Sequence, residues 1–127
     1  MTTVAVDTSA LMLPIELDIR LFDELERLLG DYEAIVPAQV VAELDRLSEE
    51  GGTVGKAASV GSSLAQQHCR VVEVDSASAD DAVLELATSG MAWYVVTADR
   101  ELAERVNTAE LPAITPRGRR QLTIQPP

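Results

Sequence analysis

The sequence predicts a three-layer α/β/α sandwich with a mainly parallel central sheet. Short β-branched apolar runs alternate with segments of helical periodicity, which is the pattern of parallel strands joined by helices. The chain has 127 residues, no internal repeat and an apolar content of 46%, so it can bury a core of its own. We therefore expect residues 1–127 to form a single domain.

The first strand is predicted at residues 3 to 7, TVAVD, a β-branched run that ends in a carboxylate. The apolar residues 11 to 14 are expected to form a turn. Apolar side chains then recur at helical spacing over residues 18 to 29, and Gly30 is a typical helix stop. This segment is predicted as an amphipathic helix.

A second strand and two more helices are predicted next. Residues 34 to 36 form a short apolar run that Pro37 closes, and the apolar stripe over residues 40 to 47 predicts a helix that begins near this proline. A glycine-rich connection at residues 49 to 55 leads to a helix at residues 56 to 67. The alanine and serine content of that helix predicts close packing.

The remaining segments continue the alternation. Strands are predicted at residues 71 to 74 and 93 to 97, with a helix at 78 to 88 between them that begins with an S-x-x-D capping pattern. A helix at residues 100 to 107 precedes a weak strand at 111 to 115. Because Pro112 lacks a backbone N–H, this last strand is predicted at an edge of the sheet. We expect residues 117–127 to form an arginine-rich tail.

The charge of the chain is unusual. Ten basic against 21 acidic residues give a net charge of −11, and Lys56 is the only lysine. At ordinary salt this charge opposes binding to nucleic acids and membranes. An acidic surplus with almost no lysine is typical of proteins adapted to concentrated salt, where screening lengths fall to about 3 Å. We therefore expect a halophilic source, in which net charge does not exclude an anionic substrate.

Other sequence features indicate a cytoplasmic protein without membrane contacts. The N-terminus lacks the basic and apolar regions of a signal peptide, and no apolar run approaches the length of a spanning helix. The single cysteine, Cys69, forms neither an internal disulfide nor a thiolate metal site. The chemistry must therefore come from other side chains.

Acidic residues follow several of the predicted strands. Asp7 ends the first strand, Asp99 follows the fourth, the pair Asp80 and Asp81 begins a helix, and Glu43 lies beside an apolar helical stripe. Carboxyl ends of parallel strands share one rim, so these acids could converge there. Two like charges about 4 Å apart repel by about 4 kcal/mol at an effective dielectric near 20, so a cluster requires a cation or raised pKa values. Oxygen ligands favour Mg²⁺ or Mn²⁺, ions that support phosphodiester hydrolysis.

Four segments resemble, in order, the acidic motifs of PIN-domain ribonucleases: VAVDTSAL at 4–11, VPAQVVAEL at 36–44, ADDAVLELA at 79–87 and VVTADREL at 95–102. The resemblance implies metal-dependent endonucleolytic cleavage of RNA that leaves 5′-phosphate and 3′-hydroxyl ends. The LMLP segment, the D-D pair and the arginine-rich end are most similar to archaeal single-domain relatives of the small-subunit ribosomal RNA-processing nuclease. Toxin nucleases of the VapC type share the acidic pattern.

Carried over position by position, the resemblance implies acidic metal ligands and hydroxyl groups that orient them. The acids are Asp7, Glu43, Asp81 and Asp99, with Asp80 as the alternate to Asp81, and the hydroxyl groups are Thr8, Ser9 and Thr97. The sequence departs from the family at Ala98, where the fourth motif usually has an amide side chain. The arginines Arg117, Arg119 and Arg120 are expected either to contact RNA phosphates or to be solvated.

Three functional hypotheses remain open on the sequence. The first is an endoribonuclease of ribosomal RNA processing with a ribosome-assembly partner, and the second is a toxin ribonuclease paired with an antitoxin. The third is an inactive RNA-binding or scaffold module. The resemblance also implies a homodimer.

Overall fold

The computed structural model describes residues 1–127 and contains one six-stranded sheet and six helices. The strands are β1 (Thr2–Val6), β2 (Tyr32–Pro37), β3 (Cys69–Val72), β4 (Tyr94–Val96), β5 (Ala113–Arg117) and β6 (Gln121–Gln125), and the helices are α1 (Thr8–Glu16), α2 (Leu21–Leu29), α3 (Ala38–Leu47), α4 (Gly52–His68), α5 (Ala79–Thr88) and α6 (Arg100–Thr108). This arrangement confirms the predicted α/β sandwich.

The strand order places a crevice at the centre of the sheet. The order is β3-β2-β1-β4-β5-β6, and every pair is parallel except β5 with β6. The chain runs outward from β1 through β2 to β3, then returns to the other side of β1 as β4. Such a reversal leaves a crevice at the carboxyl ends of the two central strands. Asp7 and Asp99 follow these two strands.

Helices cover both faces of the sheet. Helices α1, α3 and α4 pack against one another with α2 beside α1. Helices α5 and α6 pack together, and between them they contact β1, β2, β4 and β5. Right-handed crossovers from strands on either side of the reversal produce this division. The buried apolar side chains form one continuous core between the layers. None of the helices is long and apolar enough to cross a membrane.

The prediction of a turn at residues 11 to 14 is wrong, because these residues belong to helix α1. The Asp7 carboxylate caps this helix by accepting a hydrogen bond from the Ala10 amide at 2.8 Å. Residues 10 to 13 are all buried, so the segment lacks the one-sided apolar stripe of a surface helix. Pro14 is accommodated inside the helix.

Several predicted boundaries in the first three strands and their helices shift. The glycine-rich connection predicted at residues 49 to 55 is wrong in its second half, because helix α4 begins at Gly52, and strand β2 begins at Tyr32 instead of residue 34. Helix α2 begins at Leu21 rather than at residue 18, because Asp18 has a left-handed backbone with φ of 53°. Strand β3 begins directly after helix α4 at Cys69, so Val74 lies beyond its end. Gly30, the predicted helix stop, has a φ of 72°.

The predicted edge strand and tail are also wrong, since both belong to an antiparallel hairpin. Strand β5 lies between β4 and β6, and residues 121 to 125 of the expected tail form β6. Pro112 precedes β5, and Pro116 lies in β5 beyond the last residue that pairs with β4. The missing proline N–H groups therefore break no ladder bond.

An ion pair from helix α2 covers part of the outer edge of β6. Glu24 accepts a hydrogen bond from the Leu122 amide at 2.8 Å, and Arg27 donates to the Leu122 carbonyl at 2.9 Å. The two side chains also pair with each other at 2.8 Å. Both backbone groups of Leu122 are thus satisfied by side chains instead of by another strand.

Close packing of α1 on α4 depends on one glycine. A Cβ atom at Gly61 would lie 2.8 Å from the Leu11 carbonyl oxygen, a backbone atom that cannot move without shifting α1. Small buried residues of α4 on the same side allow this approach: Ala57, Ala58 and Ala65. The predicted close packing of this helix follows from its small side chains.

We expect Gly61→Ala to destabilise the protein. Alanine normally favours a helix over glycine, but here its methyl group would push α4 away from α1, at a cost of about 1–3 kcal/mol in the free energy of unfolding. Urea unfolding followed by circular dichroism measures this. The exposed Ser63→Ala substitution in the same helix is the matched control. Equal stability of the two variants would contradict the packing argument.

Candidate active site

The Asp7 carboxylate lies at the centre of the candidate site. Asp7 directly follows β1, is only 2% exposed, and provides the N-cap of α1. The buried run of β1 brings it to the sheet rim, and the following helix removes it from water. A buried carboxylate is costly unless its oxygens are bonded.

Two hydroxyl groups bond both Asp7 oxygens and connect them to the loop after β4. Ser9 Oγ lies 2.9 Å from each Asp7 oxygen, and Thr97 Oγ1 donates to Asp7 Oδ2. The same hydroxyl groups accept backbone bonds at 2.9 Å, Ser9 from the Ala98 amide and Thr97 from the Asp99 amide. The contact at position 98 uses only the backbone, so the departure from the family motif leaves this network intact.

Burial dominates the electrostatics of Asp7. The pKa of Asp7 is raised to about 7, because desolvation, together with the negative charge of Asp80, outweighs the bonds from Thr97, Ala10 and Ser9, which lower it. None of the ion pairs within 4 Å in the structure involves Asp7. The carboxylate is therefore held in place without a compensating cation from the protein.

Asp99 has one oxygen bonded and one available. It is the N-cap of α6, and its Oδ1 accepts from the Glu101 and Leu102 amides at 2.9 and 3.4 Å. Its Oδ2 makes no hydrogen bond within the protein. A capping role is thus compatible with ligand binding by the second oxygen.

The two aspartates at the start of α5 lie in different surroundings. Asp81 is exposed and pairs with Arg105 of α6 at 2.7 Å, which lowers its pKa. Asp80 is half-buried, and its pKa is raised first by desolvation and then by the charges of Asp99 and Glu43. The structure therefore brings the alternate residue, Asp80, to the other acids.

Glu43 completes the group from helix α3. Its side chain is 33% exposed and lies 3.5 Å from Arg46 on the same helix. Gln39, one turn earlier, donates to the carbonyl oxygens of Val74 and Ser76 at 2.6 and 2.9 Å. These bonds fasten the loop that leads to Asp80 onto the helix that carries Glu43.

The acids form a loose group. No three carboxylate, histidine or cysteine side chains are arranged as ligands of a single metal ion. The group nevertheless consists entirely of oxygen donors, and Thr8 Oγ1 beside Asp7 is buried without a hydrogen-bond partner. Oxygen donors of this kind fit Mg²⁺ or Mn²⁺.

The three predicted C-terminal arginines lie in and beside the turn between β5 and β6. Arg117 ends β5 and Arg119 lies in the following turn, both exposed. Arg120, also in the turn, pairs with Asp18 at 3.1 Å. Of the three, only Arg120 therefore has an acidic partner within 4 Å.

Sequence reasoning missed two residues that organise the site, Gln39 and Arg105. Gln39 stands in the segment that carries Glu43, but an amide on a helix gives no signal of its distant carbonyl partners. Arg105 has no local pattern either, since its partner Asp81 lies 24 residues earlier.

Comparison with known proteins identifies a family and similar structures. A family model described as a PIN like domain matches residues 4–119. The structure of the PIN domain endonuclease Utp24 has a TM-score of 0.79 and 19% identity, covering 98% of this chain and 92% of that one. VapBC2 from Rickettsia felis, bound to a DNA fragment from its promoter, has a TM-score of 0.65 and 12% identity, covering 91% and 100%.

A third similar structure is a domain of a functionally unknown protein from Methanocaldococcus jannaschii. Its TM-score is 0.66 at 20% identity, covering 93% of both chains. No curated protein matches the sequence. At these identities the structural likeness shows the shared fold.

The Asp7 pKa predicts a pH dependence of stability. Because its pKa rises from 3.8 to about 7 on folding, the metal-free folded state binds this proton more tightly than the unfolded chain between these values. Its contribution to the unfolding free energy is greatest at low pH and is lost as pH rises through about 7.

We expect Asp7→Asn to remove this loss, so that the variant gains stability relative to the unchanged protein as pH rises. Urea unfolding in the presence of a chelator, below and above the Asp7 pKa, measures the difference. A stability difference that stays constant with pH would contradict the raised pKa.

Proposed function

Because this chain belongs to the PIN-like domain family, we propose that it is a metal-dependent endoribonuclease acting at the crevice beyond β1 and β4. PIN domains are in general nucleases, and the similar Utp24 structure is that of an endonuclease. The single observation that carries the proposal is the buried Asp7 carboxylate. Both of its oxygens accept hydrogen bonds, the negative charge of Asp80 raises its pKa, and it forms no ion pair with a basic side chain of the protein.

We propose four residues as the holders of the ion: Asp7, Asp80, Asp99 and Glu43. Asp80 replaces Asp81 in this set because Asp81 is paired with Arg105, whereas the Asp80 pKa responds to Asp99 and Glu43. Bound there, Mg²⁺ or Mn²⁺ would activate a water and neutralise charge on the phosphodiester.

The surrounding residues have definable tasks. Ser9 and Thr97 fix the orientation of the Asp7 carboxylate, which is the usual role of hydroxyl groups around metal ligands. The backbone amides at the start of α6 hold Asp99 by one oxygen. Arg105 neutralises Asp81, which limits repulsion among the acids at the start of α5.

We propose ribosomal RNA processing as the cellular role. The resemblance of the LMLP segment, the D-D pair and the arginine-rich end supports this role. The similarity to VapBC2 supports a second candidate, a toxin paired with an antitoxin. Cleavage of a ribosomal RNA precursor in preference to transfer RNA supports the first, whereas growth arrest relieved by a small co-expressed protein supports the second.

We expect Asp7→Asn and Asp99→Asn to abolish cleavage of RNA, since each removes a charged oxygen ligand. A fluorescent RNA in high-salt buffer with Mn²⁺ serves as substrate, and the exposed Asp31→Asn is the matched control. Mn²⁺ should also raise the melting temperature of the unchanged protein but not of Asp7→Asn, because a ligand of the folded state stabilises it. Full cleavage by Asp7→Asn would refute the proposed site.

The adjacent aspartates provide a sharper comparison. We expect Asp80→Asn to lose cleavage and the Mn²⁺-induced rise in melting temperature, and Asp81→Asn to keep most of both. The ion pair of Asp81 with Arg105 is solvent-exposed and contributes little to stability, so loss of this pair should not unfold the protein. The reverse outcome would assign the ligand role to Asp81.

A further inference from the structure

Asp99 lines a polar groove to which Asp7 does not contribute. The groove has a volume of about 570 Å³ and runs between the start of α6, the end of α1 and one face of the β5–β6 hairpin. Ala98 and Ala103 line it on the α6 side, and their small side chains leave it open.

Strand alternation explains the polar wall of the groove. In the hairpin Thr115 pairs with Thr123 and Arg117 with Gln121, so these side chains project from the same face. The opposite face carries Ile114 and Leu122, both buried. Helix α6 covers the polar face only near the start of β5, and the rest remains open to solvent.

The arginines of the chain divide unevenly. Six of the nine form ion pairs with carboxylates: Arg20, Arg27, Arg46, Arg70, Arg105 and Arg120. The other three, Arg100, Arg117 and Arg119, have no acidic partner. Two of these three, Arg100 and Arg117, line the groove beside Asp99.

Unpaired arginines are significant on a chain with a net charge of −11. Acidic groups are abundant enough to pair with every arginine. The carboxylates of Asp99 and Glu104 even line this groove, yet neither Arg100 nor Arg117 forms an ion pair within 4 Å. Guanidinium groups bind phosphate by paired hydrogen bonds, and threonine and glutamine side chains donate to the phosphates and sugars of nucleic acids. The groove contains Thr115, Thr123 and Gln125 for the latter contacts.

We propose that this groove binds the backbone of a single RNA strand next to the site of cleavage, with Arg100 and Arg117 each contacting a phosphate. The proposal rests on the proposed nuclease function and deepens it. A single strand fits because the groove is walled on both sides by α6 and the hairpin. Arg119 and Arg120, which lie outside the groove lining, have no part in it.

The test measures binding of a short fluorescent oligouridylate by anisotropy over a range of KCl concentrations, on an Asp7→Asn background. Arg100→Gln and Arg117→Gln are compared with Arg70→Gln, which removes the same charge at the far edge of the sheet. Each groove variant should weaken binding several-fold and reduce the slope of log K against log salt by about 0.7, the value for one single-strand phosphate. Arg70→Gln should leave the slope unchanged.

Several outcomes would overturn the proposal. The first is an equal salt slope for all three variants, and the second is an absence of RNA binding at every salt concentration. The third is binding of polyglutamate that is as tight as binding of RNA and depends on the same arginines, which would indicate an acidic protein partner instead. Cleavage by the otherwise unchanged protein is assayed separately. If the groove variants reduce the salt slope of RNA binding but the unchanged protein does not cleave RNA, the proposed groove is supported and the proposed nuclease function is refuted. If the unchanged protein cleaves RNA but the groove variants leave the salt slope unchanged, the nuclease function is supported and the groove is refuted. Circular dichroism checks that each exposed substitution leaves the fold intact.

Discussion

The hydrogen bonds of the Asp7 carboxylate connect the two halves of the sheet. Through Ser9 and Thr97 they join the end of β1 to the end of β4, and through the Ala10 amide they begin helix α1. The same hydroxyl groups position the loop that carries Asp99. The reversal of strand order and the candidate site therefore share one set of bonds, and a change in the Asp7 carboxylate affects both.

The charges on the exposed surface are arranged differently from those near the candidate site. The acidic excess is spread over exposed side chains, most of the arginines are held in ion pairs, and such pairs contribute little individually. Near the rim the arrangement changes, because Asp7 and Asp80 have raised pKa values and face acids more than bases. The net charge of the chain is therefore a poor guide to its local electrostatics.

Much of the fold is predictable from local pattern, and the exceptions have physical causes. The strands around Val4, Ile35 and Val95 are apolar because both faces of the sheet are covered. Helix α1 was not predicted because four successive residues, 10 to 13, are buried, so the segment has no one-sided apolar pattern. Strand β6 carried a usable signal, the alternation of Leu122 and Ile124 after a turn, which the neighbouring arginines and prolines obscured. At the site, the positions of the acids follow from parallel strands, but the choice between adjacent aspartates depends on a partner from another helix.

The ion pair that covers Leu122 has a consequence for self-association. A sheet grows by adding strands to an edge whose backbone groups are free, and Glu24 with Arg27 binds both backbone groups of Leu122 near the start of β6. The opposite edge, β3, is only four residues long. Addition of further strands, as in fibrils or swapped dimers, is therefore opposed at both edges of the sheet. The Glu24–Arg27 ion pair opposes it at β6, and the short length of β3 opposes it at the other edge.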